Sequence, residues 1–257
     1  MAAANERALQ TVRETRFLID RYDRWLLDEF GPFVGQRVLE VGCGLGNLLV
    51  HFADRQFVVG IDICADCINA IKLRFTNQPN IVVLRHDITD PRVLSLAELR
   101  FDTIVALNVL EHIEDDEIAL AHMCSLLQPG GTLVLVVPAH ERLFGAMDRA
   151  IGHCRRYCMS TLLPKLERSG FEMAACKLVN AAGALGWMIN GRLLKRSTPP
   201  NAQLRLINRI IPALEVVEHH VNPPFGVSLL SIAHKSACFP APSASDKEHT
   251  VSWPTTD

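Results

Sequence analysis

Val38-Leu39-Glu40-Val41-Gly42-Cys43-Gly44-Leu45-Gly46-Asn47 joins an apolar run to three glycines, and Asp62 closes the next apolar run. A strand that ends in such a turn and passes into a helix-like segment, here Leu48 to Phe52, lets backbone approach a ligand closely. A carboxylate 20 positions after Gly42 can accept hydrogen bonds from two neighbouring alcohols, as a ribose presents them. These residue types point to an adenosine-containing cofactor. Glu40, two residues before the first glycine, adds a negative charge that suits a cationic ammonium.

Glycine spacing discriminates among such cofactors. A dinucleotide fingerprint takes glycines at its first, third and sixth positions. Gly42 and Gly44 meet the first two, but the sixth position is Asn47 and the third glycine falls one residue early, at Gly46. That spacing disfavours a nicotinamide oxidoreductase. A ligand carrying an amino-acid group on sulfur needs no phosphate cradle. With E-x-G-x-G-x-G over Glu40 to Gly46, the chain resembles the class I S-adenosylmethionine-dependent methyltransferases. The resemblance implies S-adenosyl-L-methionine as cofactor, with Glu40 and the backbone of Gly42, Cys43, Gly44 and Gly46 around its methionine part. Asp62 would then take the ribose and Ile63 would flank the adenine. Asp87 and Ile88, after the third strand, match the acid-plus-apolar pair that the family places at the adenine edge, although Asp87 also suits a turn cap. Asn108 follows the fourth strand, at the carboxyl edge of the sheet where ligands gather.

Methyl transfer from a sulfonium is an in-line displacement with a good, neutral leaving group, so positioning dominates and a base is needed only for a protonated nucleophile. His112, just past the fourth strand, is the first candidate base; it equally suits an ordering role at a helix start whose acids are Glu111, Glu114, Asp115 and Asp116. A second polar group runs from His140-Glu141 through Asp148 to His153-Cys154-Arg155-Arg156-Tyr157. That stretch resembles a bacterial small-molecule branch of the family, with its P-A-H/F…D…G/N-H-x-R-R-Y signature. His153 and Tyr157 are the preferred catalytic candidates within it, and His140, Asp148 and Arg156 are candidate acceptor contacts. A surface loop held by Arg–Asp pairs is the plainer alternative. Tyr22 and Trp25 lie on an N-terminal helix that, in the family, often closes over the cofactor; Tyr22 is a candidate acceptor contact, and core packing is the alternative for both.

The elements that must position these residues alternate. Strand-like runs at Arg37–Val41, Phe57–Ile61, Ile81–Leu84, Phe101–Leu107 and Thr132–Val137 are separated by helix-length segments, which predicts an α/β fold with a parallel sheet covered on both faces. Phe171–Val179 and Val227–His234 supply sixth and seventh strands, and Pro129-Gly130-Gly131 a turn into the fifth. The resemblance implies a Rossmann-like seven-stranded, mostly parallel sheet of order 3-2-1-4-5-7-6 with the last strand antiparallel. Residues 1–236 read as one domain, with residues 1–31 an N-terminal helical cap and residues 139–160 and 180–225 substrate-side helical insertions. Within the second insertion, residues 184–196 form an apolar run ending in cations, expected to pack on the sheet and to pair with a helix over Leu204–Val217. Residues 237–257, rich in Pro, Ser and Thr, read as disordered.

The chain has 257 residues, 49% of them apolar and 21% charged, and a net charge of −2, which argues against nucleic acid as partner. Asn222-Pro223-Pro224-Phe225 resembles a base-methylation tetrad but precedes the last strand rather than following the fourth. No apolar stretch reaches the ~18 residues of a membrane span, and the N-terminus reads as no secretory signal. The eight cysteines then read as reduced thiols in a cytoplasmic protein. No metal is required by the sequence. The expected activity is methyl transfer to a small organic acceptor, with an exposed N-terminal helix allowing a homodimer. A cofactor-binding scaffold without activity, or action on protein or RNA, are the competing readings.

Overall fold

The computed structural model describes residues 20–196, 201–221 and 223–236. The expectations for residues 1–19, for Asn222 and for the 237–257 tail lie outside these. Seven strands, β1 (Arg37–Val41), β2 (Phe57–Asp62), β3 (Ile81–Arg85), β4 (Phe101–Leu107), β5 (Leu127–Pro138), β6 (Phe171–Val179) and β7 (Ser228–Lys235), form one sheet of order β3-β2-β1-β4-β5-β7-β6. β7 runs antiparallel to both β5 and β6, and the other neighbours are parallel. Fold class and strand order are as expected.

Strands buried on both faces read as continuous apolar runs, because each face needs its own core. Leu39, Ile104, Ala106, Leu133 and Leu135 point into one cluster, covered by α3 (Asp116–Leu126) and α5 (Met159–Arg168). Their neighbours Val38, Val105, Val134 and Val136 point into the other, covered by α1 (Asp20–Phe30) and α2 (Ala65–Arg74). The sheet's two-residue period therefore divides every strand between two cores.

Four local expectations change. The Leu48–Phe52 segment is a short 3-10 helix, Leu49–Phe52, rather than a full helix. Pro129-Gly130-Gly131 is no turn into β5: the strand begins at Leu127, and its pairing with β4 jumps from Phe101–Leu127 to Thr103–Thr132, so the glycines lie in a bulge where Gly130 takes φ +72°. In the second insertion α6 (Ala181–Trp187) continues into a π-helical stretch, Met188–Leu193; Leu185 of α6 and Met188, Ile189 and Leu193 of the stretch are exposed. That stretch is not the sheet-packed helix expected of it. The long α7 (Asn201–Val221) touches α6, as expected, but packs mainly on α1: Arg21 N donates to Asn208 Oδ1 at 3.2 Å, and Ile207 and Ile211 join the cluster of Trp25 and Leu26.

The apolar stripe of α1 is therefore used within the chain. Tyr22 is buried, and its hydroxyl donates to Ser228 Oγ at 2.8 Å, where β7 pairs with the end of β5. Burial pushes the Tyr22 phenol well up. Among the described residues no helix is long and apolar enough to cross a membrane. Replacing Tyr22 with Phe removes one buried hydrogen bond and is expected to cost about 0.5–1.5 kcal/mol in denaturant unfolding while leaving the acceptor KM unchanged; a raised KM with intact stability would return Tyr22 to the acceptor site.

Candidate active site

The carboxyl ends of β1 and β2 build one half of the site. Gly42, Gly44 and Gly46 take φ of +76°, +53° and +72°, the left-handed region that side chains disfavour. The amides of Gly42 and Cys43 both donate to Ile61 O, at 2.8 and 3.1 Å. Asp62 then grips the loop: its Oδ2 accepts from Gly44 N and its Oδ1 from Cys64 N, each at 2.8 Å. A carboxylate has about four lone-pair sites, so two remain for a ligand's hydroxyls. A Cβ added at Gly42 would lie 2.4 Å from Val109 Cγ2, whereas one at Gly44 would meet nothing within 4 Å. The open space over Gly44 is room that a ligand can fill, so these residues fit a bound nucleoside.

Around that loop Glu40 is buried in β1, and the Cys43 thiol is pushed well up by burial and by the Glu40 and Asp62 charges. Ile63 is exposed, as an adenine-flanking residue must be before the ligand arrives. Asp87 is exposed and its Oδ1 accepts from Thr89 N at 2.8 Å and Thr89 Oγ1 at 2.7 Å, so it makes the turn that it also suited. Ile88 is buried in the sheet's first core. Asn108 stands exposed at the end of β4 with φ +53°, its amide on Val136 O at 2.8 Å.

The other half joins the end of β4 to the first insertion. Glu111 and His112 lie on a 3-10 turn, Leu110–His112, and Glu111 O accepts from Cys154 N at 2.7 Å. This links the turn to the loop that carries His153. The His112 and His153 rings meet edge to face, with centroids 4.7 Å apart. His112 Nδ1 faces Gly152 O at 3.2 Å and His153 Nδ1 faces Asp148 Oδ1 at 3.0 Å. Carbonyl and carboxylate oxygens only accept, so in the neutral rings each Nδ1 carries the proton and each Nε2 presents a lone pair. His112 is exposed at its edge, yet desolvation and then the neighbouring His153 lower it to about 4. It is neutral at physiological pH.

Asp148 is completely buried. Its Oδ1 also accepts from Arg156 Nε at 2.7 Å, and its Oδ2 from Gly145 N at 2.9 Å and Trp187 Nε1 at 3.1 Å. Burial alone would raise this carboxyl, but the His153 hydrogen bond, the Arg156 charge and the two further donors hold it below the usual range. Arg156, itself 2% exposed, donates to Ala139 O at 2.9 Å and lies over the Trp187 ring. Tyr157 is 1% exposed; its hydroxyl donates to Asp116 Oδ2 at 2.8 Å, and burial and the Asp116 charge raise it far above a normal phenol.

Sequence reasoning therefore separates into two groups. His112 and His153 are brought together. Tyr157, expected to act on the acceptor, is spent inside the protein on Asp116. Asp148 and Arg156, expected to touch the acceptor, pair with each other, because a buried ion persists only when its hydrogen-bonding capacity is met from within. His140 takes φ +61° with its amide on Tyr157 O at 2.8 Å, and its Nε2 lies 3.5 Å from Gly226 N, so it braces the two insertions. Two residues were missed. Trp187 carries no signal that ties it to Asp148. Glu111 was read only as a helix-start acid, yet it is fully buried, with no hydrogen-bond partner for either carboxylate oxygen, and desolvation raises it to about 8.

The glycine loop, the Asp62 carboxylate and the polar insertion gather at the carboxyl edge of this sheet. The family described as a methyltransferase domain matches residues 12–175. The chain belongs to it, as a class I S-adenosylmethionine-dependent methyltransferase, and its cofactor is S-adenosyl-L-methionine. It is 38% identical over 112 residues to an uncharacterized methyltransferase of Mycobacterium bovis, covering 43% of this chain and 55% of that protein. It is 28% identical over 112 residues to a ubiquinone biosynthesis O-methyltransferase of Aeromonas salmonicida, covering 43% and 47%. The chain thus spans about half the length of these curated relatives. The N-methyltransferase NodS of Bradyrhizobium japonicum, solved with S-adenosyl-L-homocysteine, shares the fold at a TM-score of 0.57 and 18% identity, over 91% of this chain and 97% of that one.

If Tyr157 acts only through Asp116, Tyr157→Phe lowers unfolding free energy by about 1.5–3 kcal/mol, the range for a hydrogen bond to a charged group, and spares turnover of the folded fraction. A collapse of kcat at unchanged stability would restore it as a catalytic residue.

Proposed function

We propose that the chain transfers the methyl group of S-adenosyl-L-methionine to an O, N or C atom of a small organic acceptor. The observation that carries the reading is the meeting of His112 and His153, from opposite walls, each with its Nδ1 held by protein. The cofactor supplies an electrophilic methyl on a sulfonium that leaves as a neutral thioether.

The residues then divide the work. Glu40 and the backbone from Gly42 to Gly46 hold the amino-acid end, Asp62 the ribose hydroxyls, and Ile63 with the Asp87–Ile88 turn the adenine side. Asn108, at the end of the fourth strand, adds a contact to the cofactor, and His112 and His153 line the acceptor side beyond it. Fixing both partners in line contributes about 7–11 kcal/mol in well-aligned systems. Where the nucleophile arrives protonated, a histidine Nε2 takes the proton. Asp148 holds His153 in the tautomer that leaves this atom free. The two insertions meet through Trp187 and Asp148, and their surfaces set which acceptor enters.

Labelled donor incubated with candidate small acceptors tests the activity directly, and labelled product is the expected result. Asp62→Ala is expected to weaken S-adenosyl-L-methionine binding more than about tenfold by calorimetry, since a tenfold loss is only ~1.4 kcal/mol and the substitution also frees the loop at Gly44. Unchanged affinity would contradict the ribose assignment. His153→Ala is expected to keep cofactor affinity while slowing turnover; equal turnover would remove His153 from the chemistry.

A further inference from the structure

We propose that Glu111, His112 and His153 form a binding site for a first-row divalent transition-metal ion, of the Zn²⁺ or Fe²⁺ class, on the acceptor side of the candidate site. One potential ligand atom from each residue lies within 4.8 Å of the others, with Glu111 Oε1 3.7 Å from His153 Nε2. Ligand atoms about 2.0–2.2 Å from a tetrahedral zinc stand roughly 3.3–3.5 Å apart, so closure needs side-chain movements of about an ångström or less. Two imidazoles and one carboxylate, with further positions open, are a donor set for zinc or iron-type ions rather than for magnesium.

Independent observations separate this cluster from a chance gathering of polar groups. Glu111 is fully buried and both its carboxylate oxygens lack a hydrogen-bond partner. A buried carboxylate in that condition costs several kcal/mol unless something neutralises it. The Arg156 guanidinium offsets part of that charge from nearby but gives its hydrogen bonds to Asp148 and Ala139 O, so neither Glu111 oxygen has a donor from it. Both histidines are also oriented as ligands are. Metal-bound imidazoles pass their second N–H to a carboxylate or a carbonyl, which fixes the tautomer and strengthens the donor nitrogen. His153 does this with Asp148, and His112 with Gly152 O. A metal-held water or acceptor oxygen loses its proton more readily than the free group, so the ion would activate an acceptor that arrives protonated.

That the ion faces the acceptor rests on the methyl-transfer reading; that it binds does not. The test titrates cobalt(II) and zinc into metal-free, tag-free protein, following cobalt's visible ligand-field bands and the melting temperature, and measures S-adenosyl-L-methionine binding separately. Stoichiometric cobalt bands without a thiolate charge-transfer band, a metal-dependent rise in melting temperature, and at least about a tenfold loss of affinity in both Glu111→Gln and His153→Ala are expected. Glu111→Gln should melt no lower than wild type without metal, which separates lost coordination from lost fold. No saturation by about 1 mM metal overturns the site. So does binding that Glu111→Gln leaves intact, or that shows the thiolate signature of Cys154. Metal binding without cofactor binding would sink the methyl-transfer reading alone, and cofactor binding without metal binding would sink the ion site alone.

Discussion

The Asp148 carboxylate sets the geometry on which the acceptor half of the molecule depends. With no exposed surface it accepts from His153, Arg156, Gly145 and Trp187. The four donors come from three places: Gly145 at the start of the short helix Ala146–Ala150, His153 and Arg156 in the loop after it, and Trp187 at the end of α6. A buried anion tolerates few arrangements of its donors, because any one withdrawn leaves charge uncompensated in a low dielectric. The two insertions are held in register by a polar contact rather than by an apolar core of their own. Loss of Asp148 would release His153, Arg156 and Trp187 together, so the residues behave as a unit rather than as separable contributions.

The sheet provides the other wall. Leu110–His112 turns immediately after β4, and the loop 151–158 returns along it through Cys154 N on Glu111 O and the Ala139–Tyr157 bridge. Tyr157 and Arg155 then close on Asp116 at the start of α3, Arg155 at 2.9 Å and Lys165 at 2.8 Å on the same carboxylate. The G-H-C-R-R-Y run is thereby split by side. Gly152 and His153 meet His112, and Arg155 to Tyr157 anchor the run to the body of the protein. A dense polar motif here is one part chemistry and two parts fastening.

This explains what was legible in the sequence. Strand positions came through within a residue or two for β1 to β4 and β6, because apolar runs between turn residues report burial on both faces directly. β5 did not, since Pro129-Gly130-Gly131 carries turn chemistry that the strand absorbs as a bulge. Asp62 and the glycines were readable because backbone conformation demands those residue types at those places. The roles of Asp148, Arg156 and Tyr157 were not, because a saturated buried ion pair and an open, ligand-facing one have the same composition. Only the count of donors around each carboxylate tells them apart, and those donors lie up to 39 residues away, at Trp187. The same reasoning hid Glu111, where the telling fact is a missing set of donors.

The contrast between these two buried carboxylates closes the argument. Asp148 and Glu111 sit on either side of His153, the first at 3.0 Å from Nδ1 and the second at 3.7 Å from Nε2. Asp148 has every oxygen engaged and is held below its ordinary range. Glu111 has none engaged and is raised to about 8. Folding has spent four donors on one acid and none on its neighbour, although both lost their hydration equally. A carboxylate so placed carries a proton, which makes it a neutral acid beside His153, or shares a metal cation with the two imidazoles, as proposed above; ligand atoms of Glu111, His112 and His153 lie within 4.8 Å of one another, so such a cation would engage all three groups together.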